Sequence, residues 1–237
     1  MLSLAFFIPV SNMAFAQEGE ECALLPIIMY HHVLKSPDRW GDYVVSPDTI
    51  EGDFKYLKER GYTAVGVSDL LAYAEGKKEL PEKPVMITFD DGQQSFEPYV
   101  LPLLEKYDMR AVLGIVGSYA DAYTENEDDN INYSYFSWPQ LAALIESPRV
   151  ELGVHSYDMH SLNGRQGCKI KNGESKTDYS AKLNADLDKA EERFMQYLHF
   201  KPLLFVYPYG AYCDEAQEIL CQRGYKMMFT CDEHVNK

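Results

Sequence analysis

The sequence is poor in basic residues. Its 237 residues include 22 lysines and arginines against 37 aspartates and glutamates, which gives a formal net charge of −15. Proteins that bind nucleic acids need an excess of positive charge to contact the phosphates. The composition therefore argues against a nucleic-acid partner, and we expect most of the acidic side chains to form solvated surface.

Cysteine pairs with the spacing of a metal or redox motif are also absent. The chain has 5 cysteines, and none of them forms a C-x-x-C pair. This pattern argues against a zinc ribbon and against a thioredoxin-type site. An odd number of cysteines allows at most two disulfides and leaves one thiol over.

No segment has the roughly 20 consecutive apolar residues that a membrane span requires. The nearest candidate is the apolar N-terminal segment, residues 1–16, which ends in Ala14-Phe15-Ala16. This small-x-small ending is typical of sites that signal peptidases cut, although the usual positively charged start is lacking. We therefore expect residues 1–16 to be a signal peptide, residues 17–237 to be the mature domain, and the protein to be secreted or associated with the cell envelope.

No internal repeat, low-complexity tract or flexible linker divides the chain, so one domain is the simplest organisation. Short apolar runs alternate with amphipathic stretches, which is typical of an α/β fold with a mainly parallel sheet. The predicted strands are residues 25–30, 63–67, 85–89, 111–116, 151–154, 203–206 and 226–230.

Several helix starts are readable from the sequence. Ser46 is followed by proline, and Ser137 precedes Gln140 by three positions, so both serines are predicted N-caps. The longest predicted helix covers residues 178–198. Its residues at three- and four-residue spacings should pack inward: Leu183, Leu187, Ala190, Phe194 and Tyr197.

Two adjacent carboxylates follow a predicted strand. Residues 88–92 read TFDDG and come directly after the apolar run at 84–87. Asp90 and Asp91 are costly to place at the end of a buried strand unless each has a partner, and a metal ion is the simplest partner. A plain turn is the alternative, because Asp-Gly is common in turns. The D-x-D strand motif of phosphatases fits less well, since these carboxylates are adjacent.

Histidines follow another predicted strand. His155 and His160 come directly after residues 151–154, and two imidazoles with one carboxylate are a frequent ligand set of hydrolytic metal sites. A third segment, residues 207–210 (YPYG), follows the strand at 203–206 and should form a fixed turn. Because the carboxyl ends of the strands of an α/β barrel meet at one face, we expect these segments to lie close together.

These segments resemble the motifs of the polysaccharide deacetylases, the NodB-homology family that is also called carbohydrate esterase family 4. Residues 88–92 resemble the first motif, residues 155–160 the second and residues 207–210 the third. Residues 26–32 (PIIMYHH) resemble the first strand of the poly-N-acetylglucosamine deacetylase branch. The five-residue spacing of the two histidines also resembles that branch.

The resemblance implies a fold, a metal site and two catalytic groups. The fold would be a distorted (β/α) barrel with mainly parallel strands. Asp90 would be the catalytic base, and the backbone N–H of Tyr209 would bind the oxyanion. Asp91, His155 and His160 would hold a divalent metal, with Zn²⁺ expected first and Co²⁺ or Ni²⁺ as alternatives.

The implied reaction is removal of acetyl groups from an N-acetylated polysaccharide of the N-acetylglucosamine type. An O-acetyl esterase acting on xylan-like polymers and a non-catalytic glycan-binding protein are the alternatives. The presence of Asp90 argues against the second alternative, because a protein that only binds needs no base. The residues near the motifs that we expect to contact the acetylated polysaccharide are His31, Tyr157, Tyr207 and Pro208, together with Tyr30 and Tyr209 as further stacking candidates.

The sequence departs from the family pattern at two places. Val206 stands where many members have an arginine that braces the catalytic aspartate. The final family motif, which carries a general-acid histidine, has no clear match, and His234 lies in an unrelated context. Only residues 231–237 follow the last predicted strand, whereas an average helix has about 11 residues. We therefore expect a barrel that is incomplete at the C-terminus. We also expect the protein to hydrolyse amides weakly, because the group that would protonate the leaving amine is missing.

Overall fold

The computed structural model of the protein describes residues 4–5 and 24–232. It contains an eight-stranded, mostly parallel sheet that curls into a half-barrel with helices around it. The described strands are β1 (Leu4–Ala5), β2 (Ile27–Tyr30), β3 (His32–Val33), β4 (Val44–Val45), β5 (Thr63–Ala64), β6 (Pro84–Phe89), β7 (Ala111–Ile115), β8 (Val150–Val154), β9 (Leu204–Val206) and β10 (Met227–Phe229). Of these, β3 and β4 form a separate two-stranded sheet.

The helices follow most of the strands along the chain. They are α1 (Pro47–Glu59), α2 (Val67–Ala74), α3 (Phe96–Tyr99), α4 (Leu101–Tyr107), α5 (Gly117–Glu125), α6 (Trp138–Leu144), α7 (Lys176–Leu198) and α8 (Asp214–Arg223). Short 3₁₀ turns lie at Pro37–Arg39 and Pro208–Gly210.

The strand order of the main sheet is β1-β10-β9-β8-β7-β6-β2, and β5 also pairs with β6. Every pair in this sheet is parallel except β1 with β10. The carboxyl ends of β6, β7, β8 and β9 therefore open on one edge of the sheet. The predicted barrel-type fold with mainly parallel strands is confirmed, and the barrel is incomplete because the described strands do not close into a ring.

The predicted helix starts agree with the structure. The Ser46 hydroxyl accepts a hydrogen bond from the Thr49 N–H at 2.9 Å, and Ser137 and Gln140 form the reciprocal bonds of a capping box. In α7 the predicted stripe is buried at all of its positions except Tyr197, which is partly buried. These side chains belong to the main hydrophobic core.

The strand predicted at residues 63–67 is too long. The structure has a strand only at Thr63–Ala64, because α2 begins at Val67. The Asp69 carboxylate accepts a hydrogen bond from the Gly66 N–H at 3.0 Å, which ends the extended segment and starts the helix.

Parts of the sequence-based predictions fall outside the described residues. Apart from β1, the predicted signal peptide at residues 1–16 is not described, and neither are Cys22 and His234. Within the described part of the chain, no helix combines the length and the hydrophobicity needed to cross a membrane.

Candidate active site

The predicted metal ligands meet at the carboxyl ends of β6 and β8. Asp91 Oδ1 lies 3.5 Å from His155 Nε2 and 3.1 Å from His160 Nε2. One ligand atom from each of the three residues lies within 4.8 Å of the other two. The fold therefore brings together the three side chains that the sequence singles out, on two strands that are separated by β7 in the sheet.

The tautomer of His155 is set by a backbone carbonyl. Its Nδ1 lies 2.9 Å from the carbonyl oxygen of Val206, and since a carbonyl only accepts, this nitrogen carries the hydrogen. Burial lowers the pKa of His155 to about 4, so the ring is neutral near pH 7. The lone pair of Nε2 is consequently free and faces Asp91, as a metal-binding histidine requires.

His160 is held between tyrosine hydroxyls. Its Nδ1 lies 3.3 Å from the Tyr119 oxygen and 3.3 Å from the Tyr209 oxygen. The rings of His160 and Tyr209 are 4.6 Å apart at an interplanar angle of 31°. These contacts at Nδ1 leave Nε2 directed at Asp91.

Asp91 has the properties of an anionic ligand. Burial opposes its ionisation, but the proximity of His160, His155 and His31 outweighs burial and lowers its pKa to about 2. Its Oδ1 accepts no hydrogen bond from the described residues, although two imidazole nitrogens are near. A divalent cation would satisfy this buried carboxylate oxygen and bind both imidazole nitrogens, so the donor set fits a metal ion.

Asp90 lies beside this triad and is 3% exposed. Its backbone N–H donates to the carbonyl oxygen of Tyr30 at 2.9 Å, and its Oδ1 accepts no hydrogen bond from the described residues. Burial, followed by repulsion from Asp91, raises the pKa of Asp90 well above its usual value.

Gly114 in β7 allows Asp90 and His155 to approach each other. A methyl group at Gly114 would lie 3.4 Å from Asp90 Oδ1, 3.4 Å from His155 Cβ and 3.3 Å from the Val206 side chain. Val206, which stands where many family members have the bracing arginine, thus presents an apolar side chain to the same point between Asp90 and His155.

A cleft of about 580 Å³ opens over these side chains. Asp90, Asp91, His155 and His160 form its polar part, and Tyr43, which is 66% exposed, lies at the rim. The other lining residues are Met29, His31, His32, Val44, Gln93, Leu162, Tyr209 and Cys231. A concave site with a polar floor and exposed aromatic and aliphatic side chains is suited to a sugar unit.

Two of the residues expected to contact substrate or the oxyanion do line the cleft. His31 packs edge-on against Tyr43, with 5.1 Å between the ring centroids. Tyr209 lies in the 3₁₀ turn after β9 with a left-handed backbone, φ 59°, and its side chain is half exposed. Their roles remain predictions.

The structure places Tyr207, a predicted substrate contact, in the core rather than in the cleft. The side chain is 1% exposed, and its hydroxyl donates to the Met228 sulfur at 3.5 Å inside the core. Pro208 is also buried and lies outside the cleft. Tyr30 also lies outside the cleft, since its ring packs on Phe89 and its hydroxyl donates to Asp53.

Tyr157 also lies outside the cleft. Its hydroxyl donates to Asp121 Oδ2 at 2.8 Å, and its ring packs so closely on α5 that a methyl group at Gly117 would come within 2.7 Å of it. Tyr157 borders a separate cavity of about 370 Å³ between the 157–171 segment and α7. The structure thus assigns this side chain a packing role.

The sequence analysis missed several residues of the site. Tyr119, in the first turn of α5, contacts His160, and Tyr43 forms part of the rim of the cleft. The rule that functional groups follow the carboxyl ends of parallel strands points to Tyr119, because α5 starts directly after β7. No comparable signal marks Tyr43, which reaches the cleft through the small β3–β4 sheet.

Residues 77–228 match the family model described as polysaccharide deacetylase. The chain belongs to the polysaccharide deacetylase family. Among its relatives is the poly-β-1,6-N-acetyl-D-glucosamine N-deacetylase of Escherichia coli strain K12, which is 30% identical over 207 residues. The protein of the same name from Staphylococcus aureus strain MRSA252 is 24% identical over 192 residues. Enzymes with this name are hydrolases that act on a carbon–nitrogen bond other than a peptide bond.

These alignments cover most of this deacetylase family member but less of its relatives. They include 79% of this chain and 31% of the E. coli protein, and 81% of this chain and 62% of the S. aureus protein. Among solved structures, a de-N-acetylase from Aggregatibacter actinomycetemcomitans superimposes with a TM-score of 0.73 at 26% identity. That match covers 85% of this chain and 86% of the other, which supports the same fold over the matched part of the chain.

Proposed function

We propose that this polysaccharide deacetylase removes acetyl groups from the amide nitrogens of a poly-N-acetylglucosamine chain, in a reaction that requires a divalent metal. The observation that carries the proposal is the convergence of Asp91, His155 and His160 next to Asp90 in an open cleft. The names of the relatives support the type of glycan.

The metal would be held by Asp91 and by the Nε2 atoms of His155 and His160, with Zn²⁺ as the first expectation and Co²⁺ or Ni²⁺ as alternatives. When bound, such an ion supplies Lewis acidity, which polarises an acyl carbonyl and lowers the pKa of water. The triad offers a single carboxylate and two imidazole nitrogens as donors, so a dication held by them would keep a net positive charge to act on the acetyl group.

Other groups of the cleft accept the proton of the attacking water, stabilise the negative charge of the oxyanion and contact the sugar. Asp90 accepts the proton of the attacking water, since its Oδ1 has no other hydrogen-bond partner among the described residues. The backbone N–H of Tyr209 donates to the developing oxyanion. Tyr43 and Leu162, both exposed at the rim, contact the sugar rings.

The leaving amine needs a proton, and His31 is suited to deliver it. It lines the cleft beside Asp91. Burial lowers the pKa of His31, and the negative charge of Asp91 opposes that effect and so favours the protonated ring that a general acid needs. The neighbouring His32 is less suited, because its Nε2 contacts the carbonyl oxygen of Ile131 at 2.9 Å.

His31→Ala is expected to lower the rate on an N-acetylated glycan by about 100-fold or more, the usual scale of a general acid. The rate on an activated aryl acetate should fall much less, because that leaving group departs without a proton. Initial rates of the variant and the wild type on both substrates measure the difference. Equal losses on the amide and the ester would contradict the role of His31.

The function itself is tested by acetate release from purified protein. We expect release from oligomers of β-1,6-linked N-acetylglucosamine, loss of activity after exhaustive chelation, and recovery with Zn²⁺, Co²⁺ or Ni²⁺. Chitin oligomers and acetylated xylan are the comparison substrates. Faster release from acetylated xylan would indicate an O-acetyl esterase instead, and unchanged turnover after chelation would exclude the metal-dependent reaction.

The proposal includes export to the cell envelope or the medium. The apolar residues 1–16 with their Ala-x-Ala ending support a signal peptide and a domain at 17–237. Protein recovered from the envelope or the medium of expressing cells should then begin near Gln17, and mass spectrometry of the recovered chain reads this directly.

A further inference from the structure

A carboxylate interrupts the buried apolar face of α7. Asp186 lies between Leu183 and Leu187 on the side of the helix that packs into the core, and it is 8% exposed. Burying a carboxylate costs free energy unless its oxygens accept hydrogen bonds. A helix that only needed to pack would carry an apolar residue here, so the partners of Asp186 are informative.

Both oxygens of Asp186 bind the backbone of one loop. Oδ2 accepts the N–H of Tyr157 at 2.8 Å, and Oδ1 accepts the N–H of Asp158 at 2.7 Å. These two amides lie between the metal-ligand candidates His155 and His160, in the segment that joins them. Burial raises the pKa of Asp186, while the two amides and the charge of Lys189 oppose that rise.

The loop has no regular secondary structure of its own that could satisfy these amides. Ser156 has φ 68°, so the chain leaves the direction of β8 immediately after His155. The carbonyl oxygens of Ser156 and Tyr157 accept the N–H groups of Gly117 and Ser118 at 3.1 Å and 2.8 Å. The first N–H groups of α5 thus bind the carbonyl groups of the loop, and Asp186 binds its amides.

A second contact ties the same loop to α7. The Tyr157 hydroxyl donates to Asp121, and the Asp121 carboxylate also accepts the Arg193 Nε–H at 3.0 Å. Arg193 lies two turns after Asp186 on α7, so the helix fixes Tyr157 by its backbone and, through Asp121, by its side chain. The direct backbone contact is made by Asp186 alone among the described side chains of α7.

We propose that Asp186 is a positioning residue that holds the 155–160 loop in its metal-binding shape before a metal arrives. The inference rests on the proposed metal-dependent function. The loop is already ordered when the protein folds. The entropy cost of ordering it therefore does not reduce the free energy of metal binding. Without the carboxylate, the Tyr157 and Asp158 amides lose their acceptors, and His160 is no longer held at the required distance from His155.

The test is Asp186→Asn, which keeps the shape of the side chain but places an NH₂ group against one of the two amides. We expect the dissociation constant for Zn²⁺ or Co²⁺ to rise about 10- to 100-fold, the range seen when groups that orient metal ligands are replaced. The matched control is Asp188→Asn on the same helix, since Asp188 is 68% exposed and pairs with Arg223. The control should bind metal as the wild type does.

Metal affinity is measured on folded protein, verified by its thermal transition in chelator. If Asp186→Asn were less stable but bound metal with the affinity of the wild type, Asp186 would be structural and the proposal overturned. If the wild type itself bound no metal, the proposed function would fail instead, which separates the two ideas.

Hydrogen exchange of the metal-free wild type gives a second test that needs no variant. The amides of Tyr157 and Asp158 should be protected before metal is added, because Asp186 already binds them. Rapid exchange at both amides in the metal-free protein, with protection appearing only after metal is added, would overturn the proposal even if Asp186→Asn failed to fold.

Discussion

Asp90→Asn is expected to lower the rate of acetate release by about 10²- to 10⁴-fold while the protein still binds its metal. Asparagine has nearly the size of aspartate, so the packing against Gly114 and the bond from the Asp90 N–H to Tyr30 should persist. The amide oxygen, however, is far too weak a base to take a proton from water. The variant should therefore separate catalysis from metal binding.

The measurement pairs steady-state kinetics with the metal content of the same preparation. A variant that kept a full metal load and lost activity would agree with a base at Asp90. If Asp90→Asn lost the metal, the roles of Asp90 and Asp91 would be exchanged. Wild-type rates in the variant would mean that another group accepts the proton.

The general location of the site could be predicted from the sequence because it depends on strand ends. The apolar runs before Asp90 and His155 form β6 and β8, and parallel strands place their carboxyl ends on one edge. The strands themselves were recognisable because buried parallel strands are apolar throughout. The site could be located without knowing the order of the strands in the sheet.

The orientation of individual aromatic rings could not be predicted in the same way. Tyr207 and Tyr209 are two positions apart in one motif, yet Tyr207 points into the core and Tyr209 toward the cleft. Tyr209 has a left-handed backbone, and the Tyr207 hydroxyl contacts the Met228 sulfur. Both features depend on the packed structure. Proximity to a motif is therefore a weak guide to substrate contact.

Residues that support the site without lining the cleft could not be predicted from local sequence patterns either. Asp186 lies on the inward stripe of α7, where a carboxylate is unexpected, but the sequence does not tell that its partners are the amides of Tyr157 and Asp158. A polar residue on a predicted buried face is nevertheless a readable signal that some partner exists.

Removing a predicted metal ligand should have the largest effect on metal binding and on acetate release. His155→Ala or Asp91→Ala is expected to abolish metal binding at concentrations that saturate the wild type, and with it the acetate release. Each variant leaves only two of the three donor atoms that converge within 4.8 Å. His199→Asn is the matched control, because His199 is an exposed histidine at the end of α7, where asparagine tolerates the left-handed backbone.

Thermal unfolding gives a readout that is independent of activity. A metal at 100 times its dissociation constant stabilises the folded state by about 2.7 kcal/mol, which corresponds to a rise of roughly 5–10 °C in Tm for a chain of this size. We expect that rise in the wild type and in His199→Asn, and none in His155→Ala or Asp91→Ala. The ligand variants should still unfold cooperatively, because the strands that carry these residues are held by the apolar core rather than by the ion. A full metal-dependent rise in Tm for both ligand variants would show that the ion binds elsewhere in the protein.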